Sequence, residues 1–156
     1  MPPTHYPGTD GERRALDTYI KLFRAADTVS HRASKSISAA GLTLSQFGAL
    51  ETLYHLGPMM VCRLAEKHLK SRNNFTTVVD NLEKAGYVAR GRDPEDRRAI
   101  IVELTPKGRE VIERVLPGHV SEVVDAFANL TPSEQTLLGD LLRKLGKGSV
   151  PLDPEP

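Results

Sequence analysis

The sequence predicts a mainly α-helical fold with one small β-hairpin, and two observations support this class. Apolar residues recur at the three- and four-residue spacing of helices through most of the 156-residue chain. The pattern changes at residues 87–104, where runs of strand-forming residues flank a charged turn. The predicted helices cover about two-thirds of the chain, roughly twice the usual share in soluble proteins.

Composition and charge narrow the class of protein. Hydrophobic residues make up 39% and charged residues 26% of the chain, and no apolar run approaches the roughly 20 residues of a membrane span. The N-terminus lacks the basic and then apolar pattern of a secretory signal. The single cysteine excludes an intrachain disulfide and a multi-cysteine zinc site. We expect a soluble, cytoplasmic protein of one domain with no membrane partner.

The first predicted helix is unusually long. No proline or glycine interrupts the apolar spacing from Glu12 to Ala40, and Gly41 supplies a stop. A helix of about 29 residues is roughly 43 Å long, whereas a globule of this chain length is roughly 40 Å across. A partner chain is the simplest cover for its apolar face. Residues 1–9 are predicted to be a disordered arm.

Three shorter helices follow. A capping box at residues 43–46 begins the second helix, and Gly57 ends it. The third helix starts near Val61, and Ser71 is the predicted cap of the fourth. The fourth helix has an apolar stripe of Phe75, Val78, Val79 and Leu82.

The hairpin comes next, and two further helices follow it. Its strands, at residues 87–92 and 99–104, flank a charged tip. Because an isolated hairpin is barely stable, it must pack on the helices before it. Thr-Pro pairs start the fifth and sixth helices, and Pro117 should kink the fifth. Residues 149–156 are a predicted disordered tail.

Residues 61–104 therefore have the order of a helix-turn-helix with a wing. In such a unit the second helix enters the DNA major groove, so double-stranded DNA is the predicted partner. Residues 63–102 carry nine Lys and Arg against six Asp and Glu, which agrees with a polyanionic partner. The candidate DNA-contacting residues are Ser71, Arg72, Asn73, Asn74, Thr76 and Thr77 on the fourth helix and Arg90, Arg92, Arg97 and Arg98 on the wing. A polar face that only meets solvent is the plainer alternative.

Four motifs occur in this order along the chain. They are Leu64-Ala65-Glu66-Lys67, the run from Val79 to Val88, Asp93-Pro94-Glu95-Asp96-Arg97-Arg98 and Leu104-Thr105-Pro106-Lys107-Gly108. Together they resemble the MarR family of bacterial transcription regulators, and the resemblance covers residues 12–146. It implies a single domain at 10–148 that forms a homodimeric winged-helix repressor. The dimer interface would comprise residues 10–40 and 106–146.

The resemblance also implies how such a repressor works. It would bind a palindromic operator and leave it when a small, often phenolic, ligand binds or a cysteine is oxidised. Asp80 would pair with Arg98 and orient the wing. Residues 44–58 and 78–81 resemble a branch that includes quinone- and phenol-responsive members. The implied effector pocket lies near Phe47, Leu50 and Tyr54, which the apolar pattern alone assigns to the core.

Cys62 has two interpretations. It lies near the start of the third helix, where a helix N-terminus favours the thiolate and thus a redox-sensing role. The plainer interpretation is a small, buried apolar residue. Glu51 and His55 share a helical face, but no third ligand joins them. The sequence therefore predicts no metal site and no cofactor.

Three other functions compete with a ligand-released repressor. A winged-helix module for protein partners would carry apolar or acidic residues on the outer face of the fourth helix, and Arg72 and Asn73 argue against it. An enzyme is not predicted, because the common motifs of nucleophilic, phosphate-binding and zinc-peptidase sites are absent. A regulator that senses oxidants through Cys62 is the third alternative.

Overall fold

Seven helices and one small sheet make up residues 5–68, 72–92 and 99–147, which the computed structural model describes without the side chains of residues 72–74. The helices are α1 Asp10–Arg32, α2 Lys35–Ala39, α3 Leu44–Leu56, α4 Val61–Lys67, α5 Arg72–Lys84, α6 Pro106–Phe127 and α7 Pro132–Lys147. The strands are β1 Met59–Met60, β2 Val88–Arg92 and β3 Ile100–Leu104. The predicted mainly α-helical class is confirmed.

The first helix begins directly after Thr9, the last residue of the predicted arm. Thr9 is the N-cap of α1, and its hydroxyl accepts a hydrogen bond from the Glu12 amide. The start of the predicted arm, residues 1–4, and the predicted tail, residues 149–156, lie outside the described residues. Within the described ranges, no helix is both long and apolar enough to cross a membrane.

The sheet has one strand more than the predicted hairpin. β2 and β3 pair antiparallel, with Val88 opposite Leu104. β1 pairs with the other edge of β3, with Met59 opposite Val102, so the strand order is β1-β3-β2. A strand of two residues is too short to show an alternating pattern, which is why β1 has no signal in the sequence.

The prediction of one continuous helix from Glu12 to Ala40 is wrong. The helix is interrupted at Ala33 and Ser34, which divides that segment into α1 and α2. We call these two residues the corner. Ser34 has φ −115° and ψ 5°, outside the helical region. Its hydroxyl donates a hydrogen bond to the His31 carbonyl at 3.0 Å. No glycine or proline marks this corner, so local pattern could not predict it.

The core lies between α2, α3, α4, α5, the sheet and the first half of α6. Its largest buried side chains include Ile37, Phe47, Leu50, Leu64, Phe75, Leu82 and Ile112. In contrast, α1 and α7 contribute no buried residue within the protomer. α6 continues through Pro117, where the sequence predicts a kink, and carries the chain from the core to the outer helices.

The first turn of α6 presses against the turn that joins α5 to β2. The Thr105 hydroxyl accepts a hydrogen bond from the Gly108 amide at 3.0 Å and donates one to the Gly86 carbonyl at 2.7 Å. The Thr105 amide donates to the Tyr87 carbonyl at 3.1 Å. A Cβ on Gly108 would lie 1.9 Å from that same carbonyl oxygen, so no side chain fits. This joint holds the helix-turn-helix, the wing and α6 together.

We expect Gly108→Ala to destabilise the fold by about 3 kcal/mol, because the added methyl must push α6 away from Tyr87. Gly139→Ala is the matched control. Nothing lies within 4 Å of a Cβ added at this exposed glycine of α7, and alanine favours a helix by about 0.5–1 kcal/mol. Denaturant unfolding at one protein concentration measures both variants. Wild-type stability in Gly108→Ala would contradict the close approach.

Candidate nucleic-acid interface

α5 packs on the core by one face and leaves the opposite face free. Phe75, Val79 and Leu82 are at most 1% exposed, and their spacing of four and three residues places them on one side of the helix. Leu64 of α4 is buried with them. Thr77 lies on the other side and is exposed. A helix held from behind in this way can place its outer side chains in a DNA groove.

The predicted base-reading residues fall at the start of α5. Its first turn contains Arg72, Asn73 and Asn74, whose side chains are not among those described, and Ser71 lies outside the described residues. Thr76 is half-buried and Thr77 is exposed. The structure therefore places Arg72, Asn73, Asn74, Thr76 and Thr77 in the first half of α5, with the buried Phe75 between them.

His68, the residue that follows α4, contacts both α5 and α3. Its ring stacks on Phe75, with ring centroids 5.0 Å apart and planes at 16°. Its Nε2 lies 3.0 Å from the Thr52 hydroxyl on α3. A Cβ on Gly48 would lie 2.7 Å from the imidazole. His68 thus ties the start of α5 to α3, a role for which the dispersed histidines carry no sequence signal.

Arg90 of β2 joins the wing to α5. Its Nη2 lies 2.5 Å from Asp80 Oδ1, and its Nη1 donates a hydrogen bond to Glu83. Glu83 also accepts from the Arg90 amide at 3.2 Å. The Arg90 side chain is 27% exposed, so the three charged groups are partly shielded from water. We call Asp80, Glu83 and Arg90 the wing clamp.

The wing clamp gives Arg90 a role that the sequence analysis missed. The hydrogen bond with Asp80 raises the pKa of Arg90 above its ordinary value, and the charge of Glu83 adds to this against the opposing effect of burial. Arg90 is therefore a permanently charged tether between β2 and α5. The sequence did contain a signal for this role. Val88 and Arg90 are two residues apart in a predicted strand and therefore share one face, and Val88 is buried on that face.

The outer part of the wing is only partly described. Arg92 ends β2 opposite Ile100 and is exposed. Arg97 and Arg98 lie outside the described residues, so their DNA contacts stay predictions. The Asp80–Arg98 pair also stays a prediction, and the described partner of Asp80 is Arg90.

A groove opens between β1, the start of α4, α5 and the wing. Its volume is about 390 Å³, and it is lined by Met60, Val61, Cys62, Thr76, Arg90, Ala99 and Ile100. Cys62 is half-buried as the second residue of α4. The groove is therefore lined by Cys62 and Thr76 together with Arg90 of the wing clamp.

The predicted effector-pocket residues lie elsewhere. Phe47 and Leu50 are buried in the core, and the Phe47 ring meets the His119 ring edge-on at a centroid distance of 4.7 Å. Tyr54 is half-buried, with the Arg109 guanidinium 5.2 Å from its ring centroid. None of the three predicted residues lines the groove beside the wing clamp, so a ligand-binding role for them stays a prediction.

Among the described residues, Glu51 and His55 have no third metal ligand beside them. Among the described side chains, no group of three or more His, Cys, Asp and Glu residues could hold a metal ion.

These elements define a winged-helix DNA-binding protein. A sequence model of the MarR family matches residues 42–100, from the start of α3 into the wing. The HTH-type transcriptional regulator YkoM of Bacillus subtilis is 35% identical over 85% of this chain and 86% of its own length. The chain belongs to the MarR family, as its motifs predict, and it is a DNA-binding transcriptional regulator.

Solved structures agree with this assignment. Sco3205 of Streptomyces coelicolor, a MarR family regulator in complex with DNA, has a TM-score of 0.80 and 29% identity over 97% of this chain and 95% of its own. Bordetella bronchiseptica BpsR has a TM-score of 0.77 and 26% identity over 95% of this chain and 100% of its own. Its structure describes how 6-hydroxynicotinic acid regulates the DNA binding of BpsR.

We expect Asp80→Ala and Arg90→Ala each to weaken DNA binding, because Asp80→Ala removes one of the two carboxylates that hold Arg90 and Arg90→Ala removes the side chain that joins β2 to α5. The double variant should lose less than the sum of the single losses, with a coupling of about 1 kcal/mol. The probe is a duplex that wild-type protein selects from a randomised 30-bp pool, called the selected duplex below. Fluorescence anisotropy at fixed salt measures the affinities.

The matched control is a second double-mutant cycle on Arg109 and Glu113, an exposed ion pair of α6 at 3.9 Å. These two changes should be additive, since surface pairs contribute roughly 0–1 kcal/mol and this pair does not contact the wing. Additive losses at Asp80 and Arg90 would contradict the wing clamp.

Proposed function

We propose that the protein is a homodimeric repressor that binds a palindromic operator and releases it when a small aromatic ligand binds. The observation that carries the proposal is the polar face of α5, held from behind by the core and from the side by the wing clamp. A face with this support suits the major groove, where side chains distinguish base pairs by their hydrogen-bonding edges.

Base reading is assigned by side-chain chemistry. The candidates at the start of α5 are Ser71, Arg72, Asn73, Asn74, Thr76 and Thr77. Arginine suits guanine, asparagine suits adenine, and threonine methyls suit thymine. On the wing, Arg92, Arg97 and Arg98 suit phosphates or a narrow minor groove, whereas Arg90 acts through the wing clamp.

The proposed homodimer rests on the apolar side chains of α1 and α7. Those that are more than half exposed in the protomer are Tyr19, Phe23, Leu137, Leu141 and Leu145. A groove of about 340 Å³ lies between the two helices, lined mostly by leucines. Fully burying one such side chain contributes roughly 1.5–3 kcal/mol. A second copy of the same helices would bury these side chains, and the resulting dimer would have the two-fold symmetry of a palindromic operator.

A small aromatic ligand is the proposed signal for release. The effect of 6-hydroxynicotinic acid on BpsR supports this class of compound. One proposed location is the region of Phe47, Leu50 and Tyr54 that the family resemblance implies. The other is the groove beside the wing clamp, where a ligand carboxylate would compete with Asp80 and Glu83 for Arg90.

The first test concerns base reading. Arg72→Ala, Asn73→Ala and Thr77→Ala should each reduce the preference for the selected duplex over random DNA by ~1–3 kcal/mol. Asn81→Ala is the matched control. Asn81 is exposed on the same helix, but it lies eight residues, or roughly 12 Å, beyond Asn73 along the helix axis. If all three variants keep the wild-type preference, this face of α5 does not read DNA.

The second test concerns the homodimer. Light scattering should give twice the chain mass of 17.1 kDa at micromolar concentration. Leu141→Asp should give monomer and lose affinity for the selected duplex, because a charge in an apolar interface stays unpaired. Leu44→Asp, at an exposed leucine at the start of α3, should leave both unchanged. A wild-type mass of one chain would refute the homodimer.

The third test separates ligand release from thiol sensing at Cys62. A panel of phenols, hydroxylated aromatic acids and hydrogen peroxide is added to the complex with the selected duplex. At least one aromatic compound should weaken binding tenfold or more in wild type and Cys62→Ser alike. Release by peroxide alone, abolished in Cys62→Ser, would favour the oxidant-sensing alternative instead.

A further inference from the structure

The corner between α1 and α2 is fastened to α6 by polar contacts. The Ala33 carbonyl accepts a hydrogen bond from His119 Nδ1 at 2.7 Å. Glu122 accepts two hydrogen bonds from Ser36, one from its amide at 2.8 Å and one from its hydroxyl at 3.1 Å. Because a carbonyl can only accept, the proton lies on Nδ1 of His119. We call these contacts the corner latch.

Glu122 supplies a cap that α2 does not have in its own sequence. The N-cap residue Ser34 makes no side-chain capping bond, and no acidic residue lies in the first turn of α2. The Ser36 amide belongs to that first turn, whose N–H groups have no partner inside the helix. Glu122 satisfies this donor from α6, so the start of α2 is held by another helix.

The corner latch is also connected to α5, through α3. A Cβ on Gly118 would lie 3.1 Å from Ser36 Cβ, so α2 and α6 approach closely beside the latch. His119 meets Phe47 of α3 on its other side, and α3 packs on α5. The corner, α6, α3 and α5 therefore form one continuous path of packed residues.

We propose that Glu122 and His119 are positioning residues that set the direction of α1 relative to α5, and thereby the operator spacing that the protein accepts. The inference rests on the proposed homodimer, in which α1 lies at the interface. Since α1 buries no residue in the protomer and packs there on α6, its direction depends on α6, to which the corner latch fastens the end of α1. In a dimer, a change in that direction moves the two α5 helices relative to half-sites that lie roughly 34–36 Å apart.

The experiment compares spacing preference among variants of Glu122. The probes are the selected duplex and two derivatives with one base pair inserted or removed at its centre. Glu122→Ala removes both acceptor oxygens, whereas Glu122→Gln keeps one oxygen for the Ser36 amide and has an amide N–H that can donate to the Ser36 hydroxyl. Glu110→Ala, at an exposed site of α6, removes the same charge without touching the corner. Light scattering establishes which variants are dimers.

We expect dimeric Glu122→Ala to lose about tenfold of its preference for the selected duplex, the scale of one or two hydrogen bonds to a charged group. Glu122→Gln and Glu110→Ala should keep the preference of wild type. A general weakening of the fold lowers affinity for all three duplexes alike and leaves their ratio unchanged. The ratio therefore separates positioning from stability.

A folded, dimeric Glu122→Ala with the wild-type ratio overturns the inference. If Glu122→Ala does not form a dimer, Ser36→Ala decides, because it removes the hydroxyl contact alone and should lower the ratio about threefold. An unchanged ratio in Ser36→Ala then overturns the inference. If wild type is monomeric or binds the three duplexes equally well, the proposed homodimer is overturned as well. A change in the ratio that is confined to the Glu122 and Ser36 variants leaves the homodimer intact, so the two results can be distinguished.

Discussion

The close approach of Gly108 to the Tyr87 carbonyl is the constraint on which the rest of the molecule depends. At this point the end of α5, the start of β2 and the first turn of α6 meet with no room for a side chain. Thr105 completes the joint, since one hydroxyl caps α6 and holds the Gly86 carbonyl. Because α6 then leaves the core toward α7, the same joint fixes both α5, the helix proposed to read DNA, and the helices proposed to form the dimer.

Elements with local causes could be predicted from the sequence. Thr43 and Gln46 form the predicted capping box, with the Gln46 amide donating to Thr43 and the Thr43 amide donating to Gln46. Gly86 ends the α5 segment with a φ of +75°, a conformation that glycine adopts without strain. Each of these signals lies within three or four residues of the feature it causes. The order of helix, turn, helix and wing follows from adding such signals along the chain.

Features with distant causes could not be predicted in the same way. The start of α2, directly after the corner, is capped by Glu122, which lies 86 residues beyond its partner Ser36. Strand β1 exists because Met59 meets the free edge of β3. For the candidate site, residue type identified the polar face of α5, but several arginines of the wing could reach Asp80. Strand alternation and register decide among them in the described part of the chain, and they bring Arg90 to α5.

The wing clamp also reduces the negative charge that Asp80 and Glu83 place on α5. Asp80 and Glu83 lie on the helix proposed to enter the groove, where two carboxylates would repel the phosphates. Arg90 offsets one of these two charges within hydrogen-bonding distance, and salt screens the remaining charge beyond a Debye length of roughly 8 Å. Such a partly exposed cluster contributes only roughly 0–1 kcal/mol to folding. Losing Asp80 leaves Arg90 bound to Glu83, whereas losing Arg90 leaves two uncompensated carboxylates on the helix proposed to read DNA. The two partners therefore share the orientation of the wing, but they act in opposite senses on the charge of α5, because loss of Arg90 makes the cluster more negative and loss of Asp80 makes it neutral.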